Sequence, residues 1–253
     1  MADLLKRVGW IFLLLLPLAI INVVQSDVPK ITPVAFHPVK SPEFTGMLAT
    51  NTILSTADKL LKGQVSGPED IALDDDGNLY ISNADGNLLV LRTNGDLDTL
   101  VSTSGRPLGL AFAPNGDLIV CHEPMGLISI DKNGIITQLA GHSEGIHLAD
   151  DLAVSEEGIV YFSDATLFED LNSFYYDILI HQPFGRVFSY NLNSGILDLM
   201  VDSLYFANGI AISPNEDFLL IAETATYKIR KYWLKGEYAG TDEIIADNLP
   251  GFP

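Results

Sequence analysis

The sequence predicts an all-β protein built as a β-propeller, with about four blades in this chain and a hydrophobic helix at its N-terminus. Three observations predict it. A hairpin pattern recurs four times, a second hairpin follows the copies, and the copies repeat at a spacing near that of known propeller blades, about 40 residues.

The first copy reads Glu69-Asp70-Ile71-Ala72-Leu73, a turn Asp74-Asp75-Asp76-Gly77, then Asn78-Leu79-Tyr80-Ile81-Ser82-Asn83. The second runs from Leu108 to Phe112, turns through Ala113-Pro114-Asn115-Gly116, and returns from Asp117 to His122. The third runs from Asp150 to Val154, turns through Ser155-Glu156-Glu157-Gly158, and returns from Ile159 to Asp164. The fourth runs from Asn208 to Ile212, turns through Ser213-Pro214-Asn215-Glu216, and returns from Asp217 to Glu223. Two β-rich runs around a turn of Asp, Asn, Pro and Gly are a hairpin signal. Second hairpins are predicted for Gly86–Leu91 with Asp98–Val101, Gly126–Ile130 with Ile135–Leu139, and Gly185–Tyr190 with Ile196–Val201. The copies start at 69, 108, 150 and 208, and the last gap is long because of an aromatic insertion from about Thr166 to Pro183. A long loop of this kind lies at a site mouth or an oligomer contact.

Three segments are expected: 1–26, a signal anchor or signal peptide; 27–65, a connector and lead-in; and 66–253, the propeller. Lys6 and Arg7 precede an uncharged run from Val8 to Val24, near the length limit for both a spanning helix and a signal-peptide core. Either reading puts the domain across a membrane, on the periplasmic, lumenal or extracellular side, anchored or secreted. In the connector, Val28-Pro29, Thr32-Pro33, His37-Pro38 and Ser41-Pro42 favour extended chain, and Asn51–Leu61 has helical character.

The formal net charge is −19, with 14 Lys and Arg against 33 Asp and Glu. Such a surface repels polyanions, so nucleic acid is not an expected partner. A single cysteine, Cys121, excludes both an intramolecular disulfide and a thiol metal cluster.

The repeat allows equivalent positions to be compared. The residues opening the first strands are Glu69, Leu108, Asp150 and Asn208. In a propeller these lie around the central channel, so three oxygen-bearing side chains converge there. That donor set suits a hard cation such as Ca²⁺. Folding each hairpin about its turn pairs Glu69 with Asn83, Leu108 with His122, Asp150 with Asp164, and Asn208 with Glu223. The second set is also polar, which suggests one carboxylate-rich mouth, with His122 and Asp164 as candidates for proton transfer or substrate contact.

Several segments resemble the strictosidine synthase-like family, most closely its adipocyte plasma membrane-associated members. They include Gly67-Pro68-Glu69, Gly105-Arg106-Pro107-Leu108-Gly109, Val160-Tyr161-Phe162-Ser163-Asp164, Gly185-Arg186-Val187, Phe206-Ala207-Asn208-Gly209, Ala222-Glu223-Thr224, Arg230-Lys231-Tyr232-Trp233 and Leu249-Pro250-Gly251-Phe252-Pro253. The resemblance implies a six-bladed propeller, in a superfamily whose ester, lactone and organophosphate hydrolases use one channel Ca²⁺. The implied ligands fall on Glu69, Asp150 and Asn208, with Asp150 standing where the family usually has Asn. The resemblance also implies a fourth ligand and further blades beyond residue 253. The expected function is a Ca²⁺-dependent hydrolase of a small-molecule ester or lactone. The alternatives are an amine–aldehyde condensing enzyme, whose catalytic Glu would lie beyond Pro253, and a non-catalytic membrane-tethered binding propeller.

Overall fold

The computed structural model describes residues 31–168 and 171–253; the hydrophobic run from Val8 to Val24 lies outside them. Among the described residues no helix is long and apolar enough to cross a membrane. Residues 33–253 form one compact unit.

Sixteen strands are described, forming four four-stranded antiparallel sheets in which sequential strands are neighbours. Blade 1 holds β1 (Ile71–Leu73), β2 (Leu79–Ser82), β3 (Asn87–Leu91) and β4 (Leu97–Ser102). Blade 2 holds β5 (Arg106–Phe112), β6 (Leu118–Glu123), β7 (Gly126–Ile130) and β8 (Ile136–Ala140). Blade 3 holds β9 (Ala149–Val154), β10 (Ile159–Asp164), β11 (Gly185–Asn191) and β12 (Leu197–Leu204). Blade 4 holds β13 (Ala207–Ile212), β14 (Phe218–Glu223), β15 (Lys228–Trp233) and β16 (Asp242–Ala246). The predicted hairpins are all present.

Face-to-face stacking of the blades explains why the middle strands read as continuous apolar runs. Successive side chains of a strand point to opposite faces. In β6, Leu118 and Val120 enter a core with Leu88, Leu110, Ile128 and Ile130, between blades 1 and 2. Their neighbours Ile119 and Cys121 enter the core between blades 2 and 3, with Leu152, Val160, Phe162 and Phe188. A third core joins blades 3 and 4 through Val187, Leu204, Ile210, Leu219 and Ile221. Each such buried side chain contributes roughly 1.5–3 kcal/mol, so a blade with two buried faces is held from both sides. Cys121 is fully buried, and burial pushes its thiol well above the usual range, so it stays protonated.

The insertion lies between β10 and β11 and carries one helix, α1 (Phe174–Ile180), ended by His181 at φ 51°. The Leu179 carbonyl accepts a hydrogen bond from the Val34 N–H at 2.9 Å, and Phe36 packs on His181 with ring centroids 4.6 Å apart. The lead-in is less helical than its composition suggests. Asn51–Leu61 contains only a four-residue 3₁₀ turn, Ile53–Thr56, with Ile53 and Leu54 largely exposed. So short a segment cannot offset the entropy of helix nucleation without packing an apolar face.

Candidate functional site

The first residues of the blades converge as the repeat predicts. Glu69, Asp150 and Asn208 line one cavity of about 140 Å³, together with Asp70, Gly109 and Asp151. Glu69 is placed by its own N–H, which donates to the Ser82 carbonyl at 3.1 Å and continues the β1–β2 ladder. Among the described residues, no hydrogen bond reaches the side chains of Asp150 or Asn208. Burial pushes the Asp150 carboxyl up to about 7, reinforced by the charges of Glu69 and Asp151 and opposed by Arg106. An ionised carboxylate without donors, beside two others, is stabilised by a cation or a proton. Among the described residues, no group of three His, Cys, Asp or Glu side chains is placed to hold a metal. The donor set here is instead two carboxylates and an amide, which suits a hard, oxygen-preferring ion.

The residues just after two of these positions act differently. Asp70 accepts the Leu110 N–H at 2.9 Å, and Asp151 accepts the Ile210 N–H at 2.8 Å. Each carboxylate therefore ties its blade to the next one. Both are anchored from the second strand, because the N–H groups of Asp70 and Asp151 donate to the hydroxyls of Ser82 and Ser163 at 2.9 and 3.0 Å. Burial raises Asp151 to about 6, against the hydrogen bonds from the Ile210 and Leu152 N–H groups. This stapling role was not anticipated from the sequence. The signal was available: in blades 1 and 3 alike an Asp follows the ligand position, and a Ser precedes the polar residue that closes the return run, Ser82 before Asn83 and Ser163 before Asp164.

Gly109 shows how closely the strands approach. A Cβ there would lie 2.5 Å from Asp151 Oδ1 and 2.9 Å from the Asp150 carbonyl. Gly109→Ala is expected to destabilise the protein by about 1–3 kcal/mol, as overpacking does, by forcing β9 from β5. Urea denaturation checks this; a variant with unchanged stability would mean that the strands separate freely.

The second polar set is not part of this mouth. The expected pairing is off by one in blades 2, 3 and 4, where His122 pairs with Pro107, Asp164 with Ala149, and Glu223 with Ala207. The ladder shifts between Pro107 and Leu110, between Phe162 and Asp164, and between Ala207 and Ile210. A β-bulge at each place moves the two positions out of register. Asn83, His122, Asp164 and Glu223 are all buried, and none lines the cavity.

Three of the four instead hold the loop that leads into their own blade. Asn83 Oδ1 accepts the Ser66 N–H at 2.7 Å. Asp164 Oδ1 accepts the N–H groups of His147 and Leu148 at 2.9 and 2.6 Å, while Oδ2 pairs with Arg186. Glu223 Oε2 accepts the Tyr205 N–H at 3.1 Å, and Oε1 takes Arg230 through Nε and Nη2 at 2.9 and 2.7 Å. His122 accepts the Met125 N–H at Nδ1, 3.4 Å away, while its buried Nε2 has no partner. Burial lowers the pKa of this imidazole to about 4, so it is neutral at physiological pH.

A second cavity of about 200 Å³ shares Glu69, Asp150 and Asn208 and adds Arg106 and an apolar wall. Leu108 comes from β5, Leu148 and Phe206 from the leads into β9 and β13, and Leu171 and Phe174 from the insertion. Leu171 and Phe174 thus bring the long insertion to this cavity, the first of the two places expected of it, a site mouth or an oligomer contact.

Comparison with known proteins agrees with this architecture. The strictosidine synthase family model matches residues 150–237, and the strictosidine synthase-like N-terminal model matches residues 46–91. The Arabidopsis thaliana protein strictosidine synthase-like 6 is 33% identical over 232 residues, covering 87% of this chain and 62% of the relative. Rat adipocyte plasma membrane-associated protein is 30% identical over 243 residues, covering 88% of this chain and 64% of the relative. The chain therefore spans less than two thirds of the length of either relative. Among solved structures, a Xanthomonas campestris gluconolactonase aligns with TM-score 0.62 at 22% identity, over 75% of this chain and 65% of the other. At that identity the likeness concerns the fold alone.

Proposed function

The chain belongs to the strictosidine synthase-like family, and from that premise we propose that it is a Ca²⁺-dependent hydrolase of small esters or lactones. The observation that carries the reading is the convergence of Glu69, Asp150 and Asn208 on one cavity, where no hydrogen bond among the described residues reaches the side chain of Asp150 or Asn208. These residues would hold the ion. When bound, it would polarise a carbonyl oxygen as a Lewis acid.

The chain's own residues supply the rest. Asp70 and Asp151 hold the ligand-bearing strands in register across the blades. The wall of Leu108, Leu148, Leu171, Phe174 and Phe206 excludes water and receives the apolar part of a substrate. Asp164 acts from behind this surface by holding the entry to blade 3, and His122 by holding the turn between β6 and β7. The name of the rat relative, and the N-terminal run from Val8 to Val24, support a membrane-associated location for the domain.

The reading is tested by calorimetric titration of the full chain with Ca²⁺, followed by a screen of lactones and aryl esters. Glu69→Gln and Asn208→Ala are each expected to weaken Ca²⁺ binding on the order of 10- to 100-fold, the range seen when support of a metal ligand is lost. A folded protein that binds no Ca²⁺ would leave the non-catalytic binding propeller as the better account.

A further inference from the structure

The cavity holds one cation of its own. Blade 2 offers no oxygen donor at the ligand position, where it has Leu108. Two residues earlier on β5 stands Arg106, which lines the second cavity together with Leu108, Glu69 and Asp150. Its Nη2 donates to Glu69 Oε2 at 2.8 Å, and its buried Nε has no partner. A guanidinium has five N–H donors in a planar fork. One serves Glu69, and no other bond to this side chain is formed among the described residues.

We propose that Arg106 is an anion-binding residue, and that the cavity takes small amphipathic carboxylates. The guanidinium would receive the carboxylate, and Leu171, Phe174 and Phe206 would receive the apolar end. This deepens the hydrolase reading and rests on it for the identity of the ligand, since hydrolysis of an ester or lactone yields a carboxylate. Three features support the assignment. Arg106 is the only basic residue among the described residues lining this cavity, which it shares with an apolar wall. Its unused donors match the two-oxygen geometry of a carboxylate, which arginine recognises in bidentate fashion. The cavity volume, about 200 Å³, is below the roughly 300–1,000 Å³ that encloses a drug-sized ligand, so the ligand is small.

Charge sets a further condition. Glu69 and Asp150 line the same cavity and repel an incoming anion, and Glu69 also occupies Arg106. A divalent cation on those carboxylates would remove the repulsion and compete with Arg106 for Glu69, freeing the guanidinium. Cation and carboxylate should therefore bind cooperatively, each strengthening the other by the same factor.

The test uses the full chain, with phenylacetate as the carboxylate and phenylacetamide as its neutral counterpart, titrated calorimetrically with Ca²⁺ and with chelator. Phenylacetate is expected to bind at least tenfold more tightly than the amide, and more tightly with Ca²⁺ than without. Arg106→Gln should abolish the preference for the acid. Phe174→Ala should weaken both ligands several-fold while keeping the preference, which separates the apolar wall from the anion site. Circular dichroism and melting establish that the variants are folded, and Arg106→Lys, which keeps the charge without the fork, should retain part of the preference. Equal binding of acid and amide, or unchanged acid binding in Arg106→Gln, overturns the anion site and leaves the hydrolase reading standing. An Arg106-dependent phenylacetate site indifferent to Ca²⁺ supports the anion site and overturns its coupling to the cation.

Discussion

Replacing Asp164 with alanine is expected to destabilise the protein by about 3–5 kcal/mol, the range for removing one partner of a buried ion pair. The side chain is fully buried, and its two oxygens serve three donors: the N–H groups of His147 and Leu148, and Arg186. Truncation would strand two backbone donors and leave Arg186, which also donates to the Gly145 carbonyl at 2.6 Å, without its counter-charge. Against a native stability of about 5–15 kcal/mol, that loss is a large share. Asp164→Asn should lose less, since its carbonyl still accepts one backbone N–H. Because the ion pair is a unit, Asp164→Ala and Arg186→Met should be clearly non-additive in a double-mutant cycle followed by urea denaturation. A stably folded Asp164→Ala that loses only ester hydrolysis would reverse this account and favour a catalytic carboxylate.

The blades were legible in the sequence because the hairpin is a local object: turn chemistry and alternation identify each copy without knowledge of its neighbours. The convergence of Glu69, Asp150 and Asn208 was legible for a related reason, since rotational equivalence in a propeller turns sequence alignment into geometry. What failed was the step across the hairpin. Counting outward from the turn assumes an unbroken ladder, and the bulges at Pro107–Leu110, Phe162–Asp164 and Ala207–Ile210 break it beside the site. One inserted residue separates Asp164 and Glu223 from the ligand positions opposite them, and His122 from Leu108, and all three are buried. Arg106 was passed over because only equivalent positions were compared, and blade 2 appeared to contribute nothing but Leu108. The helix Phe174–Ile180 was also hidden, because seven residues are too few for a helical period to stand out from aromatic composition.

Two buried groups should give the stability curve opposite slopes that nearly cancel, and single substitutions should expose each. Asp177, on the insertion helix, is 1% exposed, and among the described residues neither of its oxygens has a hydrogen-bond partner of good geometry. Burial raises its carboxyl to about 6, against the opposing influence of Thr166. Relative to about 3.9 in the unfolded chain, the folded state binds the proton more tightly. Its contribution to stability is full below about pH 4 and is lost as pH rises through 6. His122 has the reverse sign: burial lowers it to about 4, against about 6.5 when unfolded. Its contribution is full above pH 6.5 and is lost as pH falls toward 4. Each effect is about 2 kcal/mol after discounting for solvent screening. Asp177→Asn should therefore be more stable than wild type by about this amount at pH 7.5, with the gain vanishing near pH 4. His122→Gln should gain relative to wild type as pH is lowered from 6.5 to 4. Urea midpoints across pH 4–8 measure both, and subtracting the wild-type curve removes the contributions of Asp150 and Asp151, which lean the same way as Asp177. A pH-independent difference for Asp177→Asn would mean that its carboxyl titrates as in water, and that the insertion helix opens around it.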